Sequence, residues 1–178
     1  SLIPLLLIAL VVAGVAGSCS FGFGTQATEH KIPDFDSAAA FRQDAQTMPF
    51  PIREPKVPSD WKSNSGSTSE VGGSVGSNVG WITGGGAYVQ LTQTGGTETE
   101  LAPLLGGLGV LAVGPRDIDG RQWMTFENAE DHKKLWITDL GDVRLAVMSR
   151  GSDESMETLA KATQNAPPLP ADRPSPTG

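Results

Sequence analysis

Hydrophobic and polar positions divide this chain into two unequal parts. Residues 1–23 read SLIPLLLIALVVAGVAGSCSFGF, with no ionisable side chain except Cys19, and the first charge is Glu29. About twenty helical residues span roughly 30 Å, the thickness of a bilayer's hydrocarbon core. The stretch predicts one transmembrane helix over 1–23. Beyond a linker at 24–35 the pattern changes to short alternating and helical runs, which predict one domain in water over 36–165. A Pro-rich tail, 166–178, is expected to be extended and to lack a core of its own.

Within the domain, Ala38, Phe41, Ala45 and Met48 recur at helical spacing after a capping Asp36 or Ser37, and Pro49 and Pro51 end the run. A first strand is expected over 60–70, opened by Trp61. The Gly- and Ser-rich run 71–78 reads as a mobile loop. Val79–Thr83 and Ala87–Thr94 form a hairpin around Gly84-Gly85-Gly86. In its second strand Ala87, Val89 and Leu91 alternate with Tyr88, Gln90 and Thr92, the mark of a half-buried strand. Thr97 to Glu100 is a capping-box pattern, and Pro103 limits the helix after it to a turn or two. Val110–Ile118 and Arg121–Glu127 flank Asp119-Gly120, a strong hairpin signal. Leu135–Thr138 and Val143–Ser149 follow. Ser152 caps a last helix with a buried stripe of Met156, Leu159, Ala160 and Thr163. The order predicts an α+β fold: a mostly antiparallel sheet of six or seven strands, with helices covering one face.

Composition narrows the partners. The 178 residues carry a net charge of −7, and the 13 Lys and Arg are scattered. Phosphate binding needs a basic surface, so nucleic acid is excluded as an expected partner. One cysteine permits no internal disulfide, and His30 and His132 lie far apart. No zinc site, other metal site or cofactor is expected.

The apolar segment admits three fates. It reads first as an uncleaved signal-anchor whose cytoplasmic lead-in is missing, since no Met or basic flank precedes it. Gly14 and Gly17 then form a small-x-x-small spacing for helix packing, against the plain alternative that glycine is common in spans. A cleaved secretory signal is the second reading, from the small residues 13–18. Lipidation of Cys19 is the third, although Ala16 stands where a lipobox favours Leu or Val.

Candidate chemistry is sparse. Asp117 and Asp119 are two apart, which on a strand shares a face, and paired carboxylates can perform acid–base work. They also flank a predicted turn, where Asp is common. His132 has no partner motif. Glu127, Glu130 and Asp131 beside Lys133 and Lys134 lack the spacing of a calcium loop. Trp61, Trp81, Trp123 and Trp136 read as core, with an exposed pair as the alternative. No catalytic residue is expected.

Several segments together are specific. Val57-Pro58-Ser59-Asp60-Trp61, Val79-Gly80-Trp81-Ile82-Thr83, Gly86-Ala87-Tyr88-Val89-Gln90-Leu91 with Gln93, and Asp119-Gly120-Arg121-Gln122-Trp123 resemble the actinobacterial domain-of-unknown-function family 4245. The chain is similar to corynebacterial members, including Cys19-Ser20-Phe21, over nearly everything but the tail. The resemblance implies a single-pass membrane protein with its domain on the extracytoplasmic side, and it transfers no catalytic residue. The family's basic N-terminal lead-in is absent.

The expected function is a non-catalytic accessory subunit of a membrane protein complex. Its partners would be other membrane subunits and the lipid bilayer. By analogy, the cytochrome bc–aa3 respiratory supercomplex is the setting. The alternative is an envelope-anchored lipid or small-ligand binding module, and a third reading is an enzyme using Asp117 or Asp119.

Overall fold

The computed structural model of the chain describes residues 34–172. The expected span 1–23, its Gly14, Gly17 and Cys19, most of the linker and residues 173–178 lie outside the described residues. Among the described residues no helix is long and apolar enough to cross a membrane.

The chain order is α1 (Ser37–Thr47), β1 (Lys62–Val71), β2 (Ser74–Ile82), β3 (Tyr88–Thr94), α2 (Glu98–Gly106), β4 (Val110–Ile118), β5 (Arg121–Asn128), β6 (Lys134–Asp139), β7 (Arg144–Ser149) and α3 (Asp153–Asn165). The seven strands form one sheet in the order β1-β2-β3-β7-β6-β5-β4, every neighbouring pair antiparallel. After β3 the chain crosses through α2 to the far edge. It then returns by three hairpins, so that β7 closes against β3. The α+β expectation holds at the upper of its two strand counts.

Helix starts follow the sequence. Asp36 accepts the Ala39 N–H at 2.9 Å, and Ser152 accepts the Ser155 N–H at 3.3 Å. At α2 the capping box is complete. Thr97 Oγ1 accepts from Glu100 N at 3.3 Å, and Glu100 Oε2 accepts from Thr97 N at 2.8 Å. Pro103 sits within α2 and does not end it.

Two expectations are corrected. Residues 71–78 are not a loop. The turn is only Gly72-Gly73, and β2 pairs with β1 on one side and β3 on the other. Small residues are needed there. The Tyr88 ring lies across Gly80, and a Cβ on Gly72, which has φ +58°, would meet the Glu100 carboxylate.

The second correction concerns the sheet's faces. Helices cover both, not one. On the first face Phe41 and Ala45 of α1 and Met156, Leu159 and Ala160 of α3 pack with Trp81, Trp123, Trp136, Leu145 and Val147. On the other, Leu101 and Ala102 of α2 pack with Phe126, Leu135, Ile137 and Ala146. The reason is visible in β6 and β7. Leu135-Trp136-Ile137 and Leu145-Ala146-Val147 are continuous apolar runs, as strands buried on two faces require. β3 differs. Val89 and Leu91 enter the first core, while its other face carries a polar ladder. In that ladder Thr92 Oγ1 donates to Asn78 Oδ1 at 2.6 Å, and Asn78 Nδ2 to Ser69 Oγ at 3.0 Å.

The start of the tail is part of this domain. Pro168 bridges Arg53, Leu169 N donates to Ile52 O at 2.8 Å, and the Leu169 side chain packs against the first core.

Candidate functional site

The residues with catalytic potential are occupied by structural work. In the β4–β5 hairpin Asp119 has φ +49° and Gly120 φ +82°, so both central residues adopt the positive values that a tight turn needs. Asp117 Oδ1 accepts the Gly120 N–H at 3.1 Å. Asp119 instead accepts from Asn165 Nδ2 at 3.4 Å and lies 3.8 Å from Lys161 Nζ. The two carboxylates therefore serve different neighbours.

His132, at φ +58°, donates its backbone N–H to Asn128 O at 2.9 Å within the β5–β6 turn. Asp131 accepts from Lys133 N at 3.1 Å and from Arg150 Nη2 at 2.8 Å. The Arg150 hydrogen bond, then the Lys133 N–H, hold its carboxyl below the usual carboxylate range. Glu127 and Glu130 are exposed. Among the described residues no group of three or more His, Cys, Asp or Glu could hold a metal ion.

The tryptophans are core. Trp81, Trp123 and Trp136 are buried, and Trp61 is partly buried against the same core. Trp81 stacks on Phe41, with centroids 6.1 Å apart. Trp123 Nε1 donates to Gln164 Oε1 at 2.8 Å, and Gln164 Nε2 to Ile118 O at 2.8 Å, which ties α3 to the sheet. Around this tie runs a surface charge chain. Lys134 pairs with Asp153 (2.8 Å), Asp153 with Arg116 (3.2 Å), Arg116 with Glu157 (3.2 Å) and Glu157 with Lys161 (3.0 Å). Hydrogen bonds from Lys134 and Lys161 lead the causes that hold the Asp153 and Glu157 carboxyls below their usual range.

Three features were not singled out by the sequence. The first is Arg53. Its backbone is clamped by Gln93, which is fully buried: Gln93 Oε1 accepts from Arg53 N at 2.9 Å, and Gln93 Nε2 donates to Arg53 O at 2.8 Å. The Arg53 Nε and Nη1 atoms are themselves buried without a hydrogen-bond partner, and burial pushes the guanidinium pKa down.

The second is an open cleft of about 650 Å³ at the hairpin end of the sheet, where Asp119, Arg121, Gln122, Thr138, Asp139 and Gln164 form much of the wall. It supplies polar contacts but no enclosed apolar space.

The third is the free edge at β4. Leu108 is 90% exposed, Leu111 and Val113 each 68%, and Leu104 on α2 50%. The edge is held in place from behind. Asn128, nearly fully buried, donates from Nδ2 to Gly106 O at 3.0 Å and Leu108 O at 2.9 Å. A rigid strand presenting apolar side chains to solvent is suited to binding rather than to chemistry. The run Val110–Val113 is apolar throughout in sequence, but periodicity alone cannot separate a doubly buried strand from an apolar edge.

The described residues thus form an α+β domain built on one antiparallel sheet, with a polar cleft at one end and an apolar edge at one side. The chain belongs to the family described as protein of unknown function (DUF4245), whose profile matches residues 1–163. Neither a curated protein nor a solved structure matches it. The segments that carry the family resemblance are architectural: Gln93 clamps Arg53, Trp81 and Trp123 fill the core, and Asp119-Gly120 makes the turn.

Proposed function

We propose that this chain is a non-catalytic accessory subunit of a membrane protein complex. It would be held in the bilayer by residues 1–23, with its domain on the extracytoplasmic side. The observation that carries this reading is the exposed apolar edge, Leu108, Leu111 and Val113, on a domain whose candidate carboxylates are engaged in turns and ion pairs. Exposed apolar surface of this kind marks interaction sites. An actinobacterial respiratory assembly, the cytochrome bc–aa3 supercomplex, is the candidate setting by analogy.

The test is purification of the tagged full chain in mild detergent, followed by mass spectrometry. Stoichiometric integral membrane subunits are the expected companions. Recovery of the chain alone from membranes would remove the proposal.

A second reading, an envelope-anchored module for lipid or another small ligand, draws on the 650 Å³ cleft. Native mass spectrometry of the purified chain separates the two. A bound small molecule displaced by Arg121→Ala would favour the module.

A further inference from the structure

We infer that the free sheet edge along Leu108–Val113 pairs antiparallel with the same edge of a second copy of this chain. The inference rests on the reading of this edge as a docking surface and names its occupant.

Among the described residues β4 is the last strand of the sheet, and one side of its backbone has no ladder partner there. Such an edge invites a further strand unless charge, proline, a bulge or an overlying group blocks it. The two edges of this sheet differ in that respect. At β1 the Phe35 ring lies across Gly66, Ser63 Oγ donates to Phe35 O, and Lys62 and Glu70 place charges along the strand. At β4 nothing comparable stands before Pro115 among the described residues. Leu111, Ala112 and Val113 are consecutive exposed residues, and nothing lies within 4 Å of where a Cβ on Gly109 or Gly114 would project. The bulge between Ala112 and Gly114, and Pro115 after it, close the pairing zone on its C-terminal side.

Charge selects the occupant. The chain carries −7 overall, so most of its surfaces repel a second copy, but residues 101–115 contain no charge. Antiparallel pairing of one strand with itself is two-fold symmetric, and it closes as a dimer. In a register centred on Leu111, which faces its own copy, Arg116 of each copy falls opposite Gly106 of the other, and Asp117 opposite Leu105. No like charges meet. Because the β1 edge is obstructed, the alternative of β1 on β4, which would grow without end, is disfavoured by the same structure. A pairing of about six residues buries less than a typical stable interface of about 800 Å² per partner. Association is therefore concentration-dependent, and confinement of both copies to one membrane by residues 1–23 would raise it.

The experiment uses the full chain in detergent micelles, with Cys19→Ser to remove the native thiol. Sedimentation velocity over a concentration series reads the monomer–dimer equilibrium for the parent and for Leu111→Lys/Val113→Lys. Crosslinking of Leu111→Cys by a short bismaleimide reads proximity. A polar control, Ser67→Lys on the β1 edge, carries one added charge elsewhere, and near-UV circular dichroism verifies the fold of each variant. The expected result is a dimer for the parent and for the control, a crosslinked dimer for Leu111→Cys, and dimerisation weakened at least about tenfold in the double Lys variant. A parent that stays monomeric at the highest concentration, or a double Lys variant that dimerises as the parent does, overturns the inference. If the parent is monomeric and the Lys variant loses its co-purifying subunits, the edge docks another protein and the accessory-subunit reading survives. If the variant keeps them, the edge is not the docking surface and the dimer inference falls, while the accessory-subunit reading stands on the retained subunits.

Discussion

The guanidinium of Arg116 lies 4.4 Å from the centre of the Trp136 ring, sealing the first core where it meets solvent. The same group reaches Asp153 and Glu157 on α3, each at 3.2 Å. One side chain on β4 therefore joins the sheet edge, the core and the last helix. Arg116→Ala should destabilise the domain by about 1 kcal/mol, mostly through the lost cation–π contact and stem packing. The ion pairs are more than a third exposed and add little. Arg116→Lys should recover less than half, because ammonium lacks the planar stacking face. Urea unfolding followed by tryptophan fluorescence measures both.

The carboxylates of this chain set an acid limit. Asp153 and Glu157 are held below the usual range, chiefly by hydrogen bonds from Lys134 and Lys161. A depressed folded pKa means that the unfolded chain binds protons first as pH falls. The contribution is thus present above the ordinary carboxylate range and lost as pH falls through the folded values. Lys161, raised by Glu157 and then Asp119, contributes in the opposite sense. Its share is present below the ordinary lysine range and lost as pH rises through the raised value. Melting temperature should therefore plateau near neutrality and fall at both ends. Asp153→Asn with Glu157→Gln should flatten the acid limb, and an unchanged acid limb would contradict the assignment.

Gln93 tests the clamp on Arg53. Its amide satisfies both backbone groups of one residue, at 2.9 Å and 2.8 Å. Gln93→Ala leaves a buried N–H and C=O unpaired and opens a cavity, at a cost of about 2–4 kcal/mol. Gln93→Glu keeps the acceptor but sacrifices the donor and buries a charge, so it should be at least as harmful. Hydrogen exchange at the Arg53 amide should accelerate in both variants before global stability accounts for it.

The pattern of the chain carried most of the fold because its signals were local. The Thr97 capping box, the Asp119-Gly120 turn and the stripe Met156, Leu159, Ala160 and Thr163 each act within a few residues, and each stands in the structure as read. The misread segments depend on partners distant in sequence. Gly80 of β2 lies under the Tyr88 ring and Gly72 of the turn faces Glu100, contacts that no window around 71–78 reveals. The second covered face needs the crossing of α2, a feature of topology. The edge was illegible for the same reason. Val110–Val113 looks like any apolar strand until the strand order places it last. Asp117 was legible in its turn role, since an Asp before a tight turn bonds the turn's backbone, whereas the contacts of Asp119 with Asn165 and Lys161 on the last helix were not.

The tail gives the sharpest separation between domain and docking arm. Read from sequence, residues 166–178 are an extended Pro-rich segment without a core of its own. In the structure their first half lies along the domain: Pro168 bridges Arg53, Leu169 packs on the first core, and Gln46 takes both Pro170 O (3.1 Å) and Asp172 N (3.2 Å). A chain ending at Asn165 loses the Leu169 side chain and the bond from its N–H to Ile52 O, and it opens the strand edge beside Arg53. Partial burial of one Leu and one backbone hydrogen bond together are worth about 1–3 kcal/mol. A chain ending at Asp172 keeps all of these contacts and should unfold as the full chain does. The comparison is made by urea titration of the three lengths. If ending at Asn165 costs nothing, the segment from 166 contributes no stability and is available to a partner. If it costs the expected amount, a partner that takes Pro168 and Leu169 must first strip them from the core. Docking by the tail would then rest on residues beyond Asp172.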